Sequence, residues 1–559
     1  MNHHRWKLLP PAKPRAEMAG LPPLAVQLLF NRGISEPTQA EAFLSVSERL
    51  QSDPFLLPDM EKAIARLYRA LLGSESIAIY GDFDADGICG IALLTQGLSN
   101  LGGKAIPYIP HRLREGYGLN SASLETLQQQ GVTLVITVDC GTSSIPEVEQ
   151  AQRRGLDIIV TDHHSISYPL PPALAVINPK REDFAYPFPQ LAGVGVAFKL
   201  LQALFQILGK EGQLAELLDL VALGTVADMV PLLGENRYLV KKGLEALSQT
   251  HRLGLQEMVH LAGLELSDLD TESISWILAP RLNAPGRLDQ ALSSYRLLVT
   301  DSPEEAHYLA GELEQKNAQR QKLTEEFLAR AKEQLFISGI DSPILIVGGE
   351  DYPSGVAGLI ASKLVDEFYR PTIIFKLAQD ITRGSARSIP EFDIITALRE
   401  CQELLLQFGG HPTAAGFALP TKNVTQFQRC LLNIAANRLA SIELHPFLTV
   451  EAEISLSTIN GEIFKLIQRF APFGHSNPLP ALLSRGVKVI DYHLAGNGGQ
   501  HLRLKLRQGD IVWQGIGFGL GNLTAELTPE INVVYNLIVD QWGGENILAL
   551  NILDFAPVR

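Results

Sequence analysis

Between residues 76 and 164, short apolar runs alternate with stretches of helical periodicity, and no other feature of the chain restricts its fold as strongly. Residues 76–80, 104–109, 133–138 and 157–160 read as strands, and residues 88–101, 121–130 and 144–154 as helices. Strands buried on both faces appear as continuous apolar runs, and strand–helix alternation builds a parallel sheet. Residues 195–208 and 213–223 are predicted helices that would cover that sheet. In an open parallel sheet, ligands gather beyond the carboxyl ends of the strands. The residues that follow each run are therefore the ones to inspect.

Three of these positions carry acidic or imidazole groups. The first run is followed by Gly81-Asp82-Phe83-Asp84-Ala85-Asp86-Gly87, the third by Asp139-Cys140-Gly141, and the fourth by Thr161-Asp162-His163-His164. On one sheet edge such groups repel each other and resist desolvation unless a cation neutralises them. Mixed carboxylate and imidazole ligands suit Mn²⁺, Mg²⁺ or another divalent ion rather than a thiolate zinc site. The Asp-x-Asp-x-Asp-Gly turn imitates a calcium loop, but the twelfth position from Asp82 is Leu93 where that loop needs Glu. Asp228, before the Pro231 stop, is a further candidate, although an Asp there alone is more often a turn residue.

The remaining texture gives the organisation. Residues 1–72 read as a proline-punctuated helical N-terminal cap, with helices at 24–32, 37–44 and 60–72. Residues 73–301 hold the sheet and its acidic edge. A polar connector helix is predicted over 302–337, anchored by Leu313, Leu323 and Leu328, and a smaller α/β lobe over 338–445. After Pro446, strands at 449–454, 487–494, 502–506, 511–518 and 531–539 alternate with Gly-rich turns, as in a small barrel. The fold class is α/β: two α/β lobes, the first with a parallel sheet, joined by a long helix, plus a C-terminal OB-fold-like β-barrel. A chain of 559 residues with 46% apolar content can bury several cores of this kind.

Charge lowers the expectation of a nucleic-acid partner without removing it. The chain has 47 Lys+Arg against 61 Asp+Glu, a net charge of −14, whereas phosphates reward local positive charge. Residues 501–507 supply such a stripe. They alternate strictly, turning His501, Arg503, Lys505 and Arg507 to one face and three leucines to the other. Trp513 follows, either as a base-stacking platform or as a core residue. The four cysteines lie far apart in sequence, form no CxxC pair and read as buried apolar residues. Neither a signal-peptide h-region nor a membrane-length apolar run is present, so the expectation is a soluble cytoplasmic protein without a membrane partner.

The Asp162-His163-His164 triplet resembles the one for which the DHH phosphoesterase superfamily is named. The longer set is more specific: Tyr80 through Gly87, Val138 through Gly141, Leu191 through Lys199, and Arg281-Leu282-Asn283-Ala284-Pro285-Gly286-Arg287. Together with Leu29 through Ile34 and Asp53-Pro54-Phe55, it is similar to the RecJ family of single-strand-specific exonucleases. The resemblance runs from about residue 20 to at least residue 420. It implies a two-metal site with Asp84 and Asp86 as paired aspartates, Asp139 as the bridging carboxylate, His163 as imidazole ligand, and Asp228 as the last carboxylate. His164 would contact phosphate, Asp162 would orient a histidine, and Asp82 would take a ligand or an orienting role. Related pyrophosphatases place a histidine where this chain has Tyr80, which implies fewer protein ligands for one metal.

The resemblance also implies that residues 338–445 bind nucleic acid. Gly384-Ser385-Ala386-Arg387-Ser388 and Gly409-Gly410-His411-Pro412 signal this, with Ser385, Arg387 and His411 as contacts. The family's usual Trp-His in this lobe is replaced by Tyr352-Pro353-Ser354. Arg281, Asn283 and Arg287 are candidates for phosphate contact near the metals, with a structural-loop role equally open. The implied activity is metal-dependent exonucleolysis of single-stranded DNA, 5′→3′, releasing mononucleotides in DNA repair and recombination. The strand would thread between the α/β lobes, and the partners would be single-strand-binding protein and a helicase. The alternatives are a phosphodiesterase for short oligoribonucleotides or cyclic dinucleotides, a pyrophosphatase, and a non-catalytic replication scaffold. The cap and barrel argue against a tiny substrate, and the retained acidic and histidine residues argue against a scaffold.

Overall fold

The computed structural model describes residues 5–12, 18, 20–112, 115–166, 168–542 and 545–558. Its chain divides into two compact units, one comprising residues 6–314 and 449–559 and the other residues 1–5 and 315–448.

The larger unit opens with helices α1 (Pro23–Asn31), α2 (Pro37–Ser45) and α3 (Met60–Leu72). A five-stranded sheet follows, from β1 (Ser76–Gly81), β2 (Lys104–Tyr108), β3 (Val132–Val138), β4 (Asp157–Thr161) and β5 (Ala175–Ile177). Its order is β2-β1-β3-β4-β5 and every pairing is parallel. The connecting helices are α4 (Ala85–Asn100), α5 (Ser121–Gln129) and α6 (Ile145–Arg153). Strand β5 was not legible in the sequence because it is only three residues long.

One face of the sheet carries α3, α4 and α7 (Gly193–Leu208), with α8 (Leu218–Ala227) packed on α4 and α7, and the shared core runs through Leu67, Ile79, Leu94, Ile136, Leu201 and Leu223. Each such fully buried side chain contributes roughly 1.5–3 kcal/mol. The helix predicted over 213–223 is instead a 3₁₀ stretch, Glu211–Leu217, leading into α8. Next come α9 (Gly234–Leu247), α10 (Leu253–Leu261), α11 (Ala279–Leu288) and α12 (Leu292–Val299).

The C-terminal part of this unit is a barrel of six strands: β11 (Ala452–Glu453), β12 (Leu482–Ala495), β13 (His501–Gln508), β14 (Ile511–Gly517), β15 (Glu530–Trp542) and β16 (Glu545–Pro557), with β12 also pairing β15 to close it. Helices α1 and α2 share the barrel's core through Leu28, Leu29 and Phe43, packed with Phe470 and Leu482.

Helix α13 (Pro303–Ser338) begins in the larger unit and ends in the smaller. In the smaller unit Phe327, Ala331 and Leu335 are its buried anchors, with Leu323 and Leu328 only partly buried. The sheet there contains β6 (Leu345–Gly349), β7 (Thr372–Lys376), β8 (Ile381–Arg387), β9 (Gln407–His411) and β10 (Ala414–Pro420), in the order β9-β10-β8-β7-β6. Helix α14 (Ser354–Phe368) lies on it, and α15 (Ile394–Glu400) and α16 (Val424–Leu439) complete the lobe. Tyr352 is fully buried, stacks edge-on against Phe327 at 5.2 Å and donates its hydroxyl to Gln334. It is therefore a packing residue of the smaller unit. No helix among the described residues is long and apolar enough to cross a membrane.

Candidate active site

The acidic turns do converge at the carboxyl edge of the first sheet. Asp82 extends β1, with its backbone N–H on Val138 O (3.2 Å), and Asp139 extends β3, with its N–H on Thr161 O (3.1 Å). Asp139 has φ +59°, a left-handed conformation that Asp tolerates and that recurs at functional sites. Gly193 is required opposite it, since a Cβ there would meet Asp139 Cβ at 2.6 Å.

Ligand-type atoms of Asp82, Asp84 and Asp139 lie within 4.8 Å of one another, as do those of Asp86, His163 and Asp228, and those of Asp139, His163 and His164. Asp139 Oδ1 is 3.0 Å from His163 Nε2, and Asp228 Oδ2 is 3.5 Å from the same nitrogen. Neither contact has hydrogen-bond geometry. Asp82 Oδ1, Asp139 Oδ1 and Asp228 Oδ2 are buried without a hydrogen-bond partner among the described residues. Buried carboxylate oxygens left this way are costly. Burial pushes the carboxyls of Asp82, Asp139 and Asp228 well above the usual range, and neighbouring carboxylates add to the effect. Asp86 is pushed up to about 7 by burial and by Asp84. This donor set fits a divalent cation, which would satisfy the orphaned oxygens and cancel the repulsion.

Other oxygens in the same turns already have partners. Asp84 caps α4, its Oδ1 accepting from Asp86 N (3.0 Å) and Gly87 N (3.1 Å). Asp86 receives Gly193 N (2.7 Å) on Oδ2 and Val194 N (2.8 Å) on Oδ1, the first amides of α7. Asp162 accepts from Thr142 N and from the backbone of His163 and His164, and its Oδ1 lies 2.8 Å from His164 Nδ1. The histidine it orients is thus His164, not His163. Burial opposes the charge on Asp162, but the bond to His164 wins and holds its carboxyl below the usual range. Burial likewise opposes charge on His164, yet Asp162 raises its imidazole above the ordinary value.

The comparisons with known proteins agree with this geometry. A model of the DHH family N-terminal domain matches residues 76–225, one of the DHHA1 domain matches 337–437, and one of the RecJ OB domain matches 450–554. The chain is 37% identical over 561 residues to the single-stranded-DNA-specific exonuclease RecJ of Bacillus subtilis, covering 99% of this chain and 71% of that one. Against the RecJ of Escherichia coli it is 34% identical, covering 97% of both chains. The chain belongs to the RecJ family. A crystal structure of RecJ in complex with Mn²⁺ from Thermus thermophilus superposes with a TM-score of 0.85 at 30% identity, covering 99% of this chain and 80% of that one.

In this RecJ-family chain, the segment 281–287 is the body of helix α11 rather than a loop. Asn283 Oδ1 accepts from Ala85 N (2.8 Å), so its amide fixes the acidic turn. Arg281 Nε is held by Glu314 at 2.6 Å, and Arg287 is half-buried on the same helix. Tyr80 points out of the site; it is fully buried, stacks on Tyr108 and donates to Gly118 O.

In the smaller unit, the segment around Ser385 and Arg387 is strand β8, not a phosphate-binding loop. Gly384 is needed there because a Cβ would meet the Phe417 ring at 2.2 Å. Ser385 and Arg387 share one face of that strand and lie over Gly358 of α14, where a Cβ would meet Arg387 Nη2 at 2.8 Å and Ser385 Oγ at 3.1 Å. His411 is exposed at the end of β9.

On the barrel, Arg503, Lys505 and Arg507 alternate with buried Leu502, Leu504 and Leu506, and Arg503 lies 3.7 Å from Asp540. Trp513 corrects the base-stacking expectation. It pairs with Leu506 in register, is 8% exposed and donates Nε1 to Leu456 O (3.1 Å), so it faces the core.

Sequence reasoning missed residues after the two remaining strands. The β2 loop supplies Arg112, whose guanidinium lies 4.8 Å from the Phe83 ring, and Tyr117, whose hydroxyl donates to Asp139 O and lies 3.1 Å from His164 Nδ1. After β5, Asn178 ties down His164 O at 3.0 Å, and Lys180 is half-buried within electrostatic reach of Asp228, Asp162 and Asp139. The signal was available: both loops follow carboxyl ends of the same sheet.

Proposed function

We infer that this chain is a metal-dependent exonuclease of single-stranded DNA, working 5′→3′ and releasing mononucleotides. The observation that carries the reading is the group of buried carboxylate oxygens at Asp82, Asp139 and Asp228 that have no hydrogen-bond donor among the described residues, two of them, on Asp139 and Asp228, lying within 3.5 Å of His163 Nε2. In this reading Asp82, Asp84, Asp86, Asp139, His163 and Asp228 hold two divalent cations, with Asp139 as the bridge. The chemistry supplied by bound Mn²⁺ or Mg²⁺ is activation of water and stabilisation of charge on the attacking and leaving oxygens.

The chain's own groups do the rest. Asp162 orients the His164 imidazole and raises its pKa above the ordinary value, which favours donation to a phosphate oxygen. Asn283 and the α7 amides fix the Asp84–Asp86 turn. Arg112, Tyr117, Lys180 and Arg287 surround the phosphodiester, while Ser385, Arg387 and His411 grip phosphate in the smaller lobe. Arg503, Lys505 and Arg507 attract the trailing strand. Functionally the chain divides at 1–72, 73–301, 302–337, 338–445 and 446–559. An enzyme confined to single strands depends on others to expose them, which extends the reading to a helicase and single-strand-binding protein in the cytoplasm.

The test is parallel digestion of 5′-labelled and 3′-labelled long single strands with Mn²⁺, alongside duplex. Early release of labelled mononucleotide from the 5′-labelled strand only, with duplex intact, is expected. Cleavage limited to di- to tetranucleotides would overturn the reading in favour of a short-oligonucleotide phosphodiesterase.

A further inference from the structure

We propose that Trp276 is a base-stacking post for the single strand, set on the helical turn that leads into the helix bracing the acidic turn. This deepens the reading above and rests on it.

Trp276 is 79% exposed, while Ile274, Leu278 and Leu282 along the same helical segment are completely buried. The core stripe therefore faces inward without the indole, and Trp276 joins no apolar cluster among the described residues. An indole left in water on the site-bearing unit offers an open π face that a base can cover. The local backbone has an identifiable cause. Pro280 has no N–H to give the carbonyl of Trp276 four residues earlier, and its ring crowds that carbonyl. Residues Ser273–Leu278 accordingly form a wider π-helical turn that runs directly into α11. Such turns are uncommon and recur at functional sites.

The helix is fastened to the site at two points. Asn283 accepts from Ala85 N at 2.8 Å, and Gly286 packs so tightly on Phe83 that a Cβ would meet its carbonyl oxygen at 2.6 Å. Arg281 braces the π turn by donating Nη1 to Ile277 O at 2.8 Å. Seven residues of helix separate Trp276 from Asn283, about 10 Å along the axis. At that spacing, a strand with its terminal phosphodiester at the carboxylates needs only a few nucleotides to reach the indole. Every base has a π face, so stacking holds the strand without reading its sequence, as an enzyme that degrades any single strand requires.

The experiment compares the full chain with Trp276→Ala and Trp276→Phe on oligothymidylate with Mn²⁺. Stacking predicts a KM raised roughly 5- to 100-fold in Trp276→Ala, with most of the loss restored in Trp276→Phe. An abasic site moved through the first few nucleotides from the 5′ end should raise KM at one or two positions in wild type and leave Trp276→Ala insensitive there. Without metal, oligothymidylate should quench an indole signal that is missing in Trp276→Phe. Identical abasic profiles in wild type and Trp276→Ala, or an unchanged KM, would overturn the stacking role while leaving the exonuclease reading intact. A wild-type chain inert on every single strand would remove both.

Discussion

Two buried clusters of charge in the larger unit behave in opposite ways. Lys199 and Glu235 are both fully buried and 2.6 Å apart. Lys199 also donates to Ser52 O (2.6 Å) and Gln202 (2.7 Å), while Glu235 receives Tyr186 (2.7 Å) and Ser52 N (3.2 Å). Every charge there has its counterpart within the chain. At the sheet edge, carboxylates face one another, and three of their buried oxygens have no donor among the described residues. The first cluster is complete as folded and fixes α7 to α9. The second is complete only with a cation. Satisfaction, rather than burial or charge, separates a structural network from a reactive one.

The largest test of this contrast is Asp139→Asn. Activity should fall more than about 100-fold, the upper range for residues that merely orient a ligand. Removing one of several repelling carboxylates should meanwhile raise the metal-free melting temperature by about 2 °C. Scanning calorimetry in EDTA and with Mn²⁺ checks this: the wild type gains stability on adding the ion, about 2.7 kcal/mol at 100-fold excess over Kd, and the variant gains less. A metal-free destabilisation would show that the carboxylates support the fold instead.

Lys199→Met should do the reverse. It leaves Glu235 buried without its cation and costs about 3–5 kcal/mol by urea unfolding. Because Lys199 bonds Ser52, Gln202 and Glu235 rather than the sheet-edge carboxylates, the stabilisation by Mn²⁺ should survive. Loss of that stabilisation would merge the two clusters into one.

Arg66 offers a milder version of a satisfied network, binding Glu75 at 2.7 Å and Asp157 at 2.6 Å. Arg66 and the Thr133 hydroxyl hold the Glu75 carboxyl below its usual range. A depressed folded pKa contributes stability above the unfolded value near 4.3 that is lost as pH falls through the folded one. Arg66→Met should therefore cost about 2 kcal/mol at pH 7 and progressively less towards pH 3, as read from the difference in unfolding free energy. A gap independent of pH would assign the loss to packing.

The smallest effect belongs to the exposed charges of β13. Replacing Arg503, Lys505 and Arg507 together by Gln should weaken long-strand binding and lower the salt slope by up to about 2, near 0.7 for each phosphate contact. An unchanged slope would make this face a solvated surface.

The acidic turns were legible because chain direction fixes which end of every parallel strand is carboxyl, and three such ends carry Asp or Asp-His-His. The loops holding Arg112, Tyr117 and Lys180 obey the same rule but carry no acidic string, and the brief β5 hid one of them. Trp513 was ambiguous because alternation defines two faces without naming the inner one; register against Leu506 decides it. Around Ser385, Gly384 makes room for the Phe417 ring within a strand, a contact that no local pattern shows.

By itself the sequence determined the parallel sheet, the edge at which its acidic residues gather, and the alternating basic strand, since periodicity and chain direction are local properties. Only the tertiary structure decided which carboxylate oxygens are taken. Amides of α4 and α7 engage Asp84 and Asp86, and His164 engages Asp162, while one oxygen each of Asp82, Asp139 and Asp228 is left without a hydrogen bond among the described residues. Hydrogen-bond satisfaction depends on groups far apart in sequence, 108 residues for Val194 and Asp86 and 198 for Asn283 and Ala85, and no local pattern records which of them arrive.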